Sequence, residues 1–268
     1  YDNRYVAQFA FSYFGNDAFA PGHRWNFYPS GSFAWVASNE DFLKNSSWVD
    51  FLKVRASVGV AGTSQSNATS VLTNFDTGGR YLFKDYYTSS YIGAFYIGQN
   101  GGTDNGSRVS MFVTNPNVVP EKSVKYNVGI DASLFQGLDL TVDAFLDKRS
   151  NILTLDNSKM AYYGKQYIFS NVGEMTNKGF EVNAVYSGKS GDFSYRINGM
   201  ASYAKNRIDY MNEVTPANPF SAQTGRPYGT YIGLVAERFY DISDFNADGS
   251  LKEGIPTPAF GTVQPGDV

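Results

Sequence analysis

The chain has 268 residues, 42% of them hydrophobic and 18% charged, with a formal net charge of -3. That balance offers no basic footprint for nucleic acid, and the absence of cysteine excludes disulfide frameworks and thiolate metal sites. Aromatics are the outlier at 16%, and no run approaches the ~20 apolar residues of a membrane helix, although a membrane strand needs only about 9–11 alternating ones.

Period-2 alternation dominates from the start. A first strand is predicted over about Arg4–Phe14, with Tyr5, Ala7, Phe9, Phe11 and Tyr13 on one face. Turn residues Gly15, Asn16, Asp17, Pro21 and Gly22 follow. A second strand is predicted over about Trp25–Ser38, then a short helix within "NEDFLKNSSWVDFLK", then a third strand over about Leu52–Ala61. Residues 62–120 read as one long irregular segment.

The stretch "EKSVKYNVGIDASLFQGLDLTVDAFLDKRSN" reads as a hairpin of strands four and five. Val124, Tyr126, Val128, Ile130, Ala132 and Leu134 alternate with Lys125, Asn127, Gly129, Asp131 and Ser133. After Phe135-Gln136-Gly137, Leu138, Leu140, Val142, Ala144 and Leu146 alternate with polar residues that include Asp139, Asp143 and Asp147. A loop is predicted over about Asp156–Thr176, strand six over Lys178–Tyr186, a turn at "SGKSGD", and strand seven over Phe193–Asp209. The remainder reads as loop, with a short strand-like run near Tyr231–Tyr240.

Several of these strands exceed the usual ~5–6 residues of soluble proteins, and short turns alternate with long loops. In hydrocarbon every backbone N–H and C=O must be paired internally, so only helices and closed sheets can span it. A closed sheet has a lipid face and a lumen face, which produces this alternation. The expected fold is all-β: about seven antiparallel strands of a larger transmembrane barrel, with long extracellular loops. The expected organisation is barrel strands and their loops over 1–209 and a mainly extracellular loop region over 210–268. Both ends read as cut, with further strands and an N-terminal plug expected outside this chain.

The segments "YDNRY", "RWNFYPSGSFAWVAS", "LKVRASVGVAG", "EKSVKYNVGIDASLF", "NVGEMTNKGFEV" and "PGDV" together resemble the C-terminal barrel of SusC/RagA-type TonB-linked outer membrane transporters of Bacteroidetes. The resemblance implies a barrel of about 22 strands with a plugged lumen. It implies a SusD-like lipoprotein lid over the extracellular mouth and energy from the TonB complex. It also implies outer-membrane lipids around the barrel, no covalent chemistry, and import of oligosaccharide or oligopeptide substrates, glycans first.

Candidate residues fall into three groups. Tyr86, Tyr87, Tyr91, Phe95, Tyr96 and Asn100 form the densest aromatic run outside a strand, with Tyr162, Tyr163 and Tyr167 in a second loop. Flat rings stack on sugars or peptide groups, so these are candidates for substrate or lid contact; packing of the loops is the alternative. Lys125, Asn127, Asp131, Asp143, Asp147, Glu181 and Arg196 are expected to face the lumen. The three-residue turn sets Lys125 across from Asp147 and Asp131 across from Thr141. Asp244, Asn246 and Asp248 in "DFNADG" match the start of a calcium loop, but Ile255 stands where its closing Glu belongs, and an Asx-rich turn explains the same residues. Tyr5, Tyr13, Trp25, Trp35, Tyr126, Tyr186 and Tyr203 fit an interfacial girdle. The only His, His23, lies in a turn, and neither a catalytic triad nor a phosphate loop appears. A passive porin, or a soluble β-rich glycan-binding module, would share parts of this pattern.

Overall fold

The computed structural model describes residues 1–63, 81–85, 87–88, 95–97, 102–104, 109–110, 112–156, 167–216, 218–233, 236–257 and 261–267. Three long strands come first: β1 (Tyr5–Gly15), β2 (Trp25–Val36) and β3 (Val49–Thr63). Five short ones follow: β4 (Tyr87–Thr88), β5 (Phe95–Ile97), β6 (Gly102–Asp104), β7 (Val109–Ser110) and β8 (Phe112–Val113). Four long strands complete the set: β9 (Glu121–Leu134), β10 (Leu138–Leu155), β11 (Tyr167–Ser190) and β12 (Phe193–Tyr210).

The seven long strands pair antiparallel in the order β1-β2-β3-β9-β10-β11-β12. Sequence neighbours are sheet neighbours, and the long 64–120 segment joins β3 to its partner β9. Short β8 adds to β11 in parallel, while β4 pairs β7 and β5 pairs β6. By contacts the chain divides into a unit of Tyr1–Thr230, which holds the sheet, and a unit of Tyr231–Val268. The described residues of 231–240 form no strand, contrary to the predicted run there.

The hairpin turn at Phe135 and Gln136 uses two residues with φ of 55° and 56°. Consecutive left-handed residues match the right-handed twist of the strands they join. Gly137 follows because a Cβ there would meet the Ser187 carbonyl oxygen at 2.5 Å. The second hairpin is tighter than "SGKSGD" predicts. β11 and β12 pair down to Ser190 opposite Phe193, leaving only Gly191 (φ 60°) and Asp192 in the turn. At its other end β11 also begins early, at Tyr167, so it runs for 24 residues.

Between β2 and β3 a 3-10 turn, Ala37–Asn39, leads into the segment predicted as helix, which forms no helix: residues 41–45 are turn, and the strand begins at Val49. Glu40 clamps this connection. It accepts hydrogen bonds from the Tyr5 hydroxyl (2.8 Å) and the Trp35 indole (3.1 Å), and pairs with Arg4 at 3.0 Å. The indole and the hydroxyl, with Arg4 behind them, hold the Glu40 carboxyl below the usual carboxylate range. A depressed folded value means the clamp is complete above the unfolded value of about pH 4.3 and is lost as pH falls through the lowered one. Glu40→Gln is therefore expected to lower the melting temperature of the full-length protein at neutral pH. The gap to wild type should close on the acid side, as thermal melts at the two pH values will show.

At the loop end, Leu82, Val118, Leu153 and Phe169 are buried. Asn171 exchanges two hydrogen bonds with the Val119 backbone, both 2.9 Å, and donates to the Asn151 carbonyl at 2.7 Å. Asn151, with φ 56°, sits in the bulge that shifts the β10–β11 register after Arg149.

Candidate functional site

Register assigns every strand residue to one of two faces. One face carries Phe9, Phe33, Ala56, Val128, Ala144, Phe180 and Tyr203, linked by direct pairing from β2 to β12. These apolar side chains are bare: Phe9 is 69% exposed, Val128 55% and Ile130 42%. A sheet in water would bury such a patch, so the soluble-module alternative fails here. The aromatic girdle lies on the same face, with Tyr13 stacked on Trp25 at 5.2 Å between ring centroids. Trp35 also turns its indole N–H to Glu40.

The opposite face is polar and centred on one cation. Arg55 of β3 crosses over β9 to reach β10. Its Nε donates to Asp131 (3.2 Å), Nη1 to Asn127 (3.2 Å) and Nη2 to Asp143 (2.7 Å). The crossing is open because Gly129 lies opposite Arg55; a Cβ there would stand 2.6 Å from the guanidinium carbon. Lys53 Nζ is 2.9 Å from the same Asp131 carboxylate. Nearer the loops, Lys125 and Ser123 both donate to Asp147, at 2.6 and 2.5 Å, and Arg149 pairs with the buried Glu121 at 2.9 Å. Thr63, Glu121, Ser123, Lys125, Asp147 and Arg149 line a hollow of about 240 Å³. At the turn end Ser133 donates to Asp139 (2.7 Å).

The predicted pairings Lys125 with Asp147 and Asp131 with Thr141 are present in the register. Asn127, Asp131 and Asp143 come together around Arg55. Glu181 faces Asp143 on one side and Ser202 on the other, while Arg196 faces Ser187. Glu181 and Arg196 therefore share the polar face but do not meet: six residues of β11 separate their rows, about 20 Å. Arg55, Lys53 and Gly129 were absent from the sequence-predicted set. The two cations show in the sequence only as polar side chains on β3, whose partner strand β9 lies far away in the chain, and Gly129 only as a polar-face position of β9 without a side chain.

Tyr86, Tyr91, Asn100, Tyr162 and Tyr163 lie outside the described residues. Tyr87, Phe95, Tyr96 and Tyr167 are placed by backbone alone, in β4, β5 and β11. In the unit after 230, Asp244 is buried and both its carboxylate oxygens bind Arg238, at 2.5 and 3.0 Å. The Arg238 guanidinium, with a bond from the Asp241 backbone, holds the Asp244 carboxyl below its usual range. Asn246 donates to the Ser250 hydroxyl and Asp248 accepts from the Ser250 N–H, both at 3.0 Å. In the described residues the motif builds an Asx-rich turn, with Asp244 paired to Arg238.

Exposed apolar residues on one face, a hydrogen-bonded polar network on the other and long connections gathered at one end define the wall of an outer-membrane β-barrel. Residues 1–264 match the family model "TonB dependent receptor-like, beta-barrel", and the chain belongs to that family. TonB-dependent receptor P3 of Formosa agariphila is 25% identical over 271 residues, covering 96% of this chain and 25% of the relative. TonB-dependent receptor SusC of Bacteroides thetaiotaomicron is 26% identical over 287 residues, covering 99% of this chain and 26% of the relative. The chain thus spans about a quarter of the length of the curated relatives it matches. Among solved structures, the RagAB peptide importer in its "closed-closed" state shares the fold, with a TM-score of 0.66 and 19% identity over 97% of this chain and 28% of that one. In an outer-membrane barrel the apolar face is the one turned to lipid, and the polar face the one turned inward.

Proposed function

We propose that this chain forms part of the wall and mouth of a TonB-dependent importer of nutrient oligomers, working with a SusD-like surface lipoprotein. The observation that carries the reading is the two-faced sheet whose lumen side is a continuous polar network around Arg55. Such a wall is stiff and wet, and suits polar cargo passing a displaced plug. Family membership and the likeness to SusC and to the RagAB peptide importer support it. The chain's own residues do no covalent chemistry in this scheme.

Glycan oligosaccharides are the first substrate class, because the tyrosine-rich loop suits stacking on sugar faces; oligopeptides are the second. Tyr86, Tyr87, Tyr91, Phe95, Tyr96, Asn100, Tyr162, Tyr163 and Tyr167 provide substrate or lid contacts. Lys125, Asn127, Asp131, Asp143, Asp147, Glu181 and Arg196 line the lumen path. Residues beyond Tyr210 belong to the extracellular side. The test replaces Tyr86, Tyr87 and Tyr91 by Ala in the full-length protein. Uptake of oligosaccharides by cells relying on it, and affinity for the lipoprotein, are expected to fall at least tenfold, each lost stacking contact being worth about 1 kcal/mol. Unchanged uptake and unchanged lid affinity would remove this loop from the site. Faster uptake of peptides than of glycans in wild-type cells would invert the substrate order.

A further inference from the structure

The lipid face is apolar until the loop end is reached, and there it turns basic. Lys122 of β9, Lys148 of β10, Lys178 of β11, and Lys205 and Arg207 of β12 all fall on the outward register positions, and all are exposed. Each of the four lysines lies ten or twelve residues from the turn end of its own strand. At a rise of ~3.3 Å per residue and a tilt of ~40°, that places them roughly 25–30 Å above the turns, the height of an outer-membrane apolar band. Four neighbouring strands thus deliver four lysines to one level, with Arg207 two residues further along β12, within a lateral span of about 14 Å. Tyr126 and Tyr203 flank them from the girdle.

The charges are not balanced from within. Lys178 and Lys205 oppose each other directly across β11 and β12. Like charges in that position repel, which disfavours the pairing. Among the described residues neither lysine has an ion-pair or hydrogen-bond partner. Among the described residues Asp209, which accepts from Arg207 (2.8 Å) and from Thr176, is the one acidic group engaged with the cluster. Glu174 is exposed opposite Tyr210, at the border. Five cations against these two carboxylates leave a net excess at headgroup level.

We propose that this belt is a binding site for a phosphorylated glycolipid of the outer leaflet, its phosphates bridging Lys178 and Lys205 and reaching Lys148 and Arg207. Charge complementarity selects the occupant: a site facing acyl chains on its lower side and headgroups at its own level takes a lipid rather than a soluble anion. The phosphate would turn the opposed lysines from a repelling pair into a chelating one.

The test uses the full-length protein in neutral detergent, titrated with diphosphorylated lipid A, with its dephosphorylated form and with inorganic phosphate. Wild type is expected to prefer the diphosphorylated lipid at least tenfold over the other two. The triple variant Lys178→Gln, Lys205→Gln, Arg207→Gln should lose affinity about fivefold per cation, roughly a hundredfold in all. Lys189→Gln, at the turn end of β11, should bind as wild type. Equal binding of the dephosphorylated lipid, displacement by equimolar inorganic phosphate, or a triple variant within threefold of wild type would overturn the proposal. Lys178→Glu separates binding from folding. In lipid-free detergent it should raise the melting temperature by pairing with Lys205, while losing the lipid; unchanged lipid affinity in that variant would also overturn the site.

Discussion

Replacing Gly129 by Ala should push the Arg55 guanidinium off Asp143 and cost about 2 kcal/mol of barrel stability. The added methyl would stand 2.6 Å from the Arg55 Cζ and 2.7 Å from Asp143 Oδ1, closer than real Cβ contacts come. Backbone holds the methyl in place, so the guanidinium must move. A charge-assisted hydrogen bond of this kind contributes about 1.5–3 kcal/mol when sheltered, and the Arg55 side chain, 31% exposed, keeps most of that shelter. Arg55→Ala should cost a similar ~2 kcal/mol, because it strips Asp143 of its cation while Asp131 still has Lys53. The two changes remove the same interaction, so the double variant should cost about 2 kcal/mol rather than 4. Arg55→Lys should not rescue, since an ammonium lacks the fork that spans three acceptors. Urea unfolding of the full-length protein in lipid vesicles measures all four. Additive costs would show that Gly129 serves something other than this crossing.

The second large effect distinguishes the faces. Val128→Arg places a cation six residues above the turn, near the middle of the apolar band. It should cost about 2–4 kcal/mol in vesicles, the depth-dependent penalty for a lipid-facing cation. Asn127→Arg, one residue away, turns the same side chain to the opposite face, where it removes one acceptor of Arg55 but lies near the Asp131 and Asp143 carboxylates that Arg55 binds. Its cost should stay within about 1 kcal/mol. Folding yield into vesicles, followed by electrophoretic mobility before and after heating, reads the contrast. Equal penalties, or the reverse order, would break the assignment of faces.

What could be read beforehand follows from where lipid is. Within the band, hydrocarbon forces every second residue to be apolar, so the hairpin from Val124 to Leu146 and its register were legible. Beyond the band both faces of a strand meet water or protein, and alternation fades. That is why residues 167–177, with Ser170, Asn171, Glu174 and Asn177 among them, read as loop although they continue β11. The turn at Gly191 was overestimated for a related reason: Ser187, Gly188, Lys189 and Ser190 carry no apolar pattern but still pair. The network around Arg55 was hidden because β3 meets β9 only after the long intervening segment. The basic belt was hidden because its members are scattered, one or two to a strand. The ion pair inside the DFNADG segment was hidden for a local reason: Arg238, six residues before Asp244, lies outside the motif.

The length of β11 has a bearing on life at the cell surface. From Lys178 to Tyr167 the strand climbs eleven further residues past the level of the basic belt. At the same rise and tilt that is about 28 Å of ordered sheet. The Asn171 bonds to Val119 and Asn151 and the packing of Phe169 brace that extension. Ordered sheet therefore continues well past the level of the belt, and the loop end of β11 stands clear of the apolar band by about that height.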